Sequence, residues 1–128
     1  MRKIAFVGLV TAAFTIAGSF RSTNLVVEAQ PRVELRCGWF SNPTPANAWL
    51  IDRDGEWTIG IQGGYQAEGD WPDTGKWVKT NVHYGYGCTC VKAMVDRKEM
   101  RVIKIVSSYG KSLTACRKDP ALKKKEPR

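Results

Sequence analysis

Cys37, Cys88, Cys90 and Cys116 are the residues whose type and spacing define the chemistry open to this chain. Four thiols can hold a metal, cycle redox equivalents or close two disulfides. Structural zinc favours Cys-x-x-Cys units, and the sequence has none. The cysteines are therefore read as two disulfides, the pattern of a small exported domain. No metal ligand set and no cofactor is expected. Cys88 and Cys90 are two residues apart, so on a strand both point to one face. A bridge between them would close a very small, strained ring. Two connectivities remain: Cys37–Cys90 with Cys88–Cys116, which is preferred, and Cys37–Cys88 with Cys90–Cys116, which the sequence leaves open. Either one ties both ends of the domain to one central strand. Loops of this length contribute about 3 to 4 kcal/mol per bridge on the chain-entropy account.

The carboxylates offer less. Asp52, Asp54 and Glu56 around Gly55 resemble part of a calcium loop, but the twelve-residue pattern ending in a bidentate Glu is missing. A turn with solvent-facing carboxylates is the expectation. Together with Glu68, Asp70 and Asp73 these acids could form a glycosidase pair, yet no spacing singles out an acid and a nucleophile. His83 is the only histidine. It has no serine or cysteine nucleophile motif to serve, and is read as a surface or edge residue. No G-x-S-x-G turn, phosphate loop or dinucleotide fingerprint occurs, so no catalytic residue is assigned.

Tryptophan is dense, with five in the chain, all of them at or beyond position 39. Trp49, Trp57 and Trp77 fall in strand-like runs and are expected in the core, and Trp39 against a disulfide. Trp71, beside Pro72 in a Gly/Asp loop, is the indole expected at the surface, where a flat ring can stack on sugars or anchor a protein. The candidate partner-binding residues are Asn42, Asn47, Asp52, Arg53, Asp54, Tyr65 and Trp71. They lie in the Asn42–Asn47 segment, the Asp52–Gly55 turn and the Gly63–Gly75 loop.

The elements that must position these residues are strands. Asn47–Ile51 and Glu56–Gln62 flank Asp52-Arg53-Asp54-Gly55, a strong hairpin signal. Trp57, Ile59 and Ile61 alternate with Glu56, Thr58, Gly60 and Gln62, so one face is buried. Tyr65–Gly75 reads as loop. Lys76–Val82, Tyr84–Val95 and Met100–Tyr109 read as further strands, with Asp96–Glu99 and Gly110-Lys111 as turns. Gly85 and Gly87 interrupt the longest strand, where glycine permits a bend or the close approach of another backbone; fold closure is favoured there over ligand contact. A short helix is expected at Lys118–Lys123. Five to seven short strands predict an all-β domain, a small antiparallel barrel or sandwich stapled by two disulfides.

Ahead of the domain, Arg2 and Lys3 precede Ile4–Phe20, 17 residues without charge, and Val27-Glu28-Ala29 offers a small-residue cleavage site. This is the layout of a secretory signal peptide over residues 1–29. Its rival is a retained anchor, for which the run is at the short limit. No cysteine ends the run, so lipid attachment is not expected, and no later segment is apolar enough to span. The single domain is then 30–122, and 123–128 is a basic tail expected to be disordered.

The chain carries 20 basic and 12 acidic residues, net +8. Charge is divided unevenly: Gln30–Gly75 holds three basic and seven acidic residues, whereas Lys76 onward holds fourteen and four. The basic half suits weak contact with anionic envelope polymers; no specific nucleic acid is expected.

The strings Cys37-Gly38-Trp39-Phe40, Asn42-Pro43-Thr44-Pro45, Asn47-Ala48-Trp49 and Asp52-Arg53-Asp54-Gly55-Glu56-Trp57 resemble a family of small exported bacterial proteins. Gln62-Gly63-Gly64, Tyr84-Gly85-Tyr86-Gly87-Cys88-Thr89-Cys90 and Cys116-Arg117-Lys118-Asp119 continue the likeness over about Cys37–Leu122. The family is a domain of unknown function. The resemblance implies bacterial origin, export and structural roles for all four cysteines, and supplies no active-site residues. Read together, these features predict a non-enzymatic, periplasmic or secreted binding module with a protein or cell-wall glycan partner. The alternatives are a structural or stress-related envelope factor without a ligand and, less favoured, a carboxylate-dependent hydrolase.

Overall fold

A computed structural model describes residues 18–19, 22–27 and 30–128. Most of the leader expected at 1–29, including its apolar run up to Ala17, lies outside the described residues. Among the described residues no helix is long and apolar enough to cross a membrane.

Six strands and one helix follow in order: β1 Arg32–Thr44, β2 Asn47–Ile51, β3 Glu56–Gly60, β4 Val78–Asn81, β5 Tyr84–Asp96, β6 Arg101–Lys111 and α1 Leu113–Lys118. The sheet runs β1-β2-β3-β6-β5-β4, and β1 also pairs with β5. That extra pairing closes β1, β2, β3, β6 and β5 into a barrel. Its seams are antiparallel except β3–β6, where Thr58 faces Arg101 in parallel register. Closure removes the open edges of a flat sheet; only the short β4 extends beyond it, against the start of β5. The all-β expectation holds, with six strands and two disulfides.

The longest seam joins β1 to β5, from Arg32 opposite Val95 to Asn42 opposite Gly85. β1 is not among the strands expected from the sequence. Its alternation is inverted: Val33 and Leu35 face outward and stay exposed, while Arg36 points inward and is buried. Cys37 and Cys90 lie directly opposite each other on this seam and are bonded, with Cα atoms 4.0 Å apart. Cys88 is bonded to Cys116 on α1. The preferred connectivity is the one found, and β5 is the strand that both bridges share.

Two apolar clusters result. Inside the barrel, Phe40, Leu50, Trp57, Ile59, Val91, Val95, Val102 and Ile105 pack together. Outside it, Trp39, Tyr86, Cys88, Leu113, Cys116 and Leu122 form a second cluster under the C-terminal segment. Trp39 is fully buried there, its ring edge-on to Tyr86 at 5.6 Å between centroids. Its indole N–H donates to Leu122 O at 3.1 Å, so the buried polar handle is satisfied. The disulfide it packs beside, Cys88–Cys116, fits the expectation for Trp39.

Glycine matters most where strands nearly touch. A Cβ on Gly85 would stand 1.8 Å from Val78 O, and one on Gly38 would stand 2.1 Å from Ile51 O. Both positions admit only hydrogen at that distance.

The helix lies earlier than Lys118–Lys123. Ser112 caps it, its hydroxyl accepting from Ala115 N. Pro120 then stops it, because the residue before proline is driven out of helical geometry, and Asp119 is extended. Tail residues 123–128, expected to be disordered, are instead held by polar contacts. Arg117 donates to both carboxylate oxygens of Glu126, Tyr86 donates its hydroxyl proton to the same group, and Lys125 donates to the carbonyls of Asp52 and Arg53. Charged side chains with nothing apolar to bury thus find partners on the barrel.

Candidate functional site

The seven candidate residues fall in four separate places. Asn42 and Asn47 lie at the β1–β2 turn. Asn42 is buried, and its amide donates to Thr44 O and Asn47 O at 2.8 and 2.7 Å. Asn47 donates to Thr44 Oγ1 and accepts from Gln62 N. These two asparagines hold a turn against the next loop, which leaves their amides little to offer a partner.

Asp52, Arg53 and Asp54 occupy the β2–β3 turn at the other end of the hairpin. Asp52 corrects the expectation of solvent-facing carboxylates: it is 1% exposed. Its Oδ1 accepts from Asp54 N, Gly55 N and Trp57 Nε1 at 2.8, 3.2 and 3.0 Å. Its Oδ2 accepts from buried Arg36, which also reaches Asp54 Oδ2 at 2.8 Å and Glu34 at 2.9 Å. The guanidinium carbon of Arg36 lies 4.0 Å from the Trp57 ring centroid. Arg97 completes the network, donating twice to Glu34 at 2.9 Å. The bond to Glu34 raises the Arg97 guanidinium above its usual value. A buried cation is tolerated only when paired and hydrogen-bonded, and this cluster pairs Arg36 three times. The arrangement stores charge for the fold; both oxygens of Asp52 are committed. Arg53 and Asp54 are both exposed, and of the three only the Arg53 side chain lies outside the network. Arg36 was not singled out from sequence, although a charged residue flanked by Leu35 and Cys37 on a strand is the available signal.

Tyr65 is half-buried. Its hydroxyl donates to Val102 O at 2.7 Å, and Arg101 sits over its ring at 4.8 Å. Burial chiefly raises its phenol above the ordinary value.

Trp71 is the aromatic candidate that stands at the surface, 40% exposed. It meets buried Phe40 edge-on at 5.8 Å, and Phe40 also approaches Trp77 at 6.0 Å. Trp77 donates its indole N–H to His83 O at 2.9 Å, and His83 lies against Tyr84 at 4.2 Å. The loop bearing Trp71 is fastened on both sides. Pro72 is buried, Asp73 N donates to Ser108 Oγ, and Asp73 O accepts from Thr89 Oγ1. An exposed indole is thus braced from below and fixed along its backbone. Trp57 is in the core as expected, whereas Trp49 and Trp77 are only half-buried, and His83 is exposed. Phe40 as the brace was not visible in the sequence, since its partners are 31 and 37 residues downstream.

Among the described residues no cluster of three or more His, Cys, Asp or Glu side chains is arranged to hold a metal ion. The family described as "Protein of unknown function (DUF4087)" matches residues 31–123. The chain belongs to this family. The DUF4087 match runs from just before β1 to just after Leu122, so it takes in the whole barrel, both bridges and the helix. No curated protein and no solved structure matches the chain.

Proposed function

We propose that this DUF4087 domain is an exported, non-enzymatic binding module of the bacterial envelope, periplasmic or secreted, that recognises a protein or cell-wall glycan partner. The observation that carries this reading is Trp71. A half-exposed indole is held rigid by Phe40 and by a loop tied to β5 and β6, so little conformational freedom is lost when a partner stacks on it. Trp77, Tyr84 and His83 lie on the adjoining elements and extend the aromatic surface. Two disulfides and a leader of secretory layout support the location.

The test is a pull-down with the full chain and its Trp71→Ala variant, against purified wall fragments and periplasmic extract at low salt. The expected result is a retained glycan or protein that the variant loses at least about tenfold, the scale of an aromatic anchor. Recovery of nothing, or equal recovery by the variant, overturns the reading. A structural envelope factor without a dedicated ligand is the second reading. It is favoured by Asn42, Asn47, Asp52 and Asp54, whose polar atoms are engaged within the fold.

A further inference from the structure

The outer face of the β1–β5–β6 sheet is covered along only part of its length. Near Trp39 and Cys88 it lies under α1 and Leu122. Beyond the Cys37–Cys90 bridge no cluster of described residues covers it. Register fixes which side chains stand there: Val33 opposite Met94 opposite Lys104, Leu35 opposite Lys92 opposite Ser107, and Cys90 opposite Tyr109. Val106 is the extra residue where the β5–β6 register slips. Val33, Leu35, Val106 and Tyr109 remain 48–60% exposed, and Lys92 and Lys104 are exposed between them. Neither lysine is ion-paired with a described residue. The carboxylates at the rims are occupied: Asp96 accepts from Lys98 N and Glu99 N and lies 3.7 Å from Arg101, and Asp119 accepts from Ala121 N.

From this pattern we infer that this outer face docks on an anionic lipid surface, by a route separate from the Trp71 platform. Aliphatic side chains interleaved with unpaired lysines complement a bilayer interface in both respects. The apolar groups gain by leaving water, and the ammonium groups meet anionic headgroups at the ends of flexible stems. A tyrosine at the same level suits the interfacial zone. An anionic polymer would reward the lysines and give Val33, Leu35 and Val106 nothing to enter.

Co-sedimentation of the full chain with phosphatidylcholine vesicles, and with vesicles containing about one-third phosphatidylglycerol, tests this. The uncharged run Ile4–Phe20 is common to all variants, so the readout is the ratio of binding between the two compositions. Near an anionic surface each lysine is worth about fivefold. Lys92→Gln with Lys104→Gln is therefore expected to lower the ratio about 30-fold, and the double Glu variant further. Val33→Ser with Leu35→Ser is expected to weaken anionic-vesicle binding while leaving heparin binding unchanged. These positions are exposed, and an unchanged Tm and absence of free thiols show that each variant is folded. A wild-type ratio near one, a ratio indifferent to Lys92 and Lys104, or loss produced equally by Lys123→Gln with Lys124→Gln overturns the proposal. So does heparin binding that the vesicles cannot match and the serine variants leave intact.

Discussion

Arg36 sits over the Trp57 ring, its guanidinium carbon 4.0 Å from the centroid, while its Nη1 bonds Asp52 and Asp54. One end of the barrel is thereby closed by a cation. The arrangement explains why β1 carries its aliphatic residues outward: the inward position that apolar packing would claim is taken by Arg36.

Breaking this pair by removing one partner leaves a buried carboxylate uncompensated. Arg36→Met is expected to destabilise the domain by about 3 kcal/mol or more, a fall in Tm of at least about 10 °C. Calorimetry measures it. A variant within about 2 °C of wild type would show that the backbone and Trp57 donors alone sustain Asp52.

The two bridges differ in access. Cys37 is exposed, whereas Cys88 and Cys116 are buried beneath α1 and Leu122. Thiol–disulfide exchange requires approach of an attacking thiolate. Brief treatment with a mild reductant followed by alkylation is expected to label Cys37 and Cys90 before the other pair. Peptide mapping that finds all four labelled at one rate contradicts the difference in access.

The clamp on the C-terminal segment titrates at both extremes. Hydrogen bonds from Arg117 hold the Glu126 carboxyl below its usual range. A carboxyl depressed in the fold contributes stability above its free value and loses it as pH falls through the depressed value. For Tyr86, burial and then its bond to Glu126 raise the phenol above 10.0. That contribution is complete below the free value and lost as pH rises through the raised one. Hydrogen-exchange protection factors for residues 122–128 are expected to be flat near neutrality, falling in acid below the carboxylate range and again in strong alkali. Protection that stays constant into acid removes the Arg117–Glu126 contact from the account.

Gly85→Ala places a methyl group against Val78 O, a backbone atom that cannot swing aside. The expected cost is about 1 to 3 kcal/mol, as for other overpacked positions, with β4 loosening first. Faster amide exchange confined to Val78–Asn81 checks this, and an unchanged Tm would argue against the close approach.

Local signals were legible wherever neighbours in sequence are neighbours in space. Asn47–Ile51 and the Asp52–Gly55 turn appear where the Asp-Gly signal puts them. The two-residue spacing of Cys88 and Cys90 disfavours a bridge between them and leaves two connectivities, between which the register of β1 on β5 decides. What depended on distant partners was not legible. Strand β1 escaped because burying Arg36 reverses its alternation, and the partners that permit this burial come 16 and 18 residues later. Asp52 looked like an exposed turn acid for the same reason. The helix begins five residues before the expected Lys118, because Ser112 supplies a cap at Leu113 and Pro120 ends the run. Of the candidate site, the exposure of Trp71 was anticipated, but its brace on Phe40 is a tertiary contact that no local pattern encodes.

The seam between β1 and β5 has a kinetic corollary. A chain that folds from its N-terminus exposes Cys37 long before any partner thiol exists, and the first to arrive is Cys88, not Cys90. Order of arrival thus favours the wrong sulfur by two positions. Correct pairing must await alignment of the two ribbons, and a slip of two residues would trap Cys37 on Cys88 and leave Cys116 seeking Cys90. The register of β1 on β5 is what selects Cys90 over Cys88.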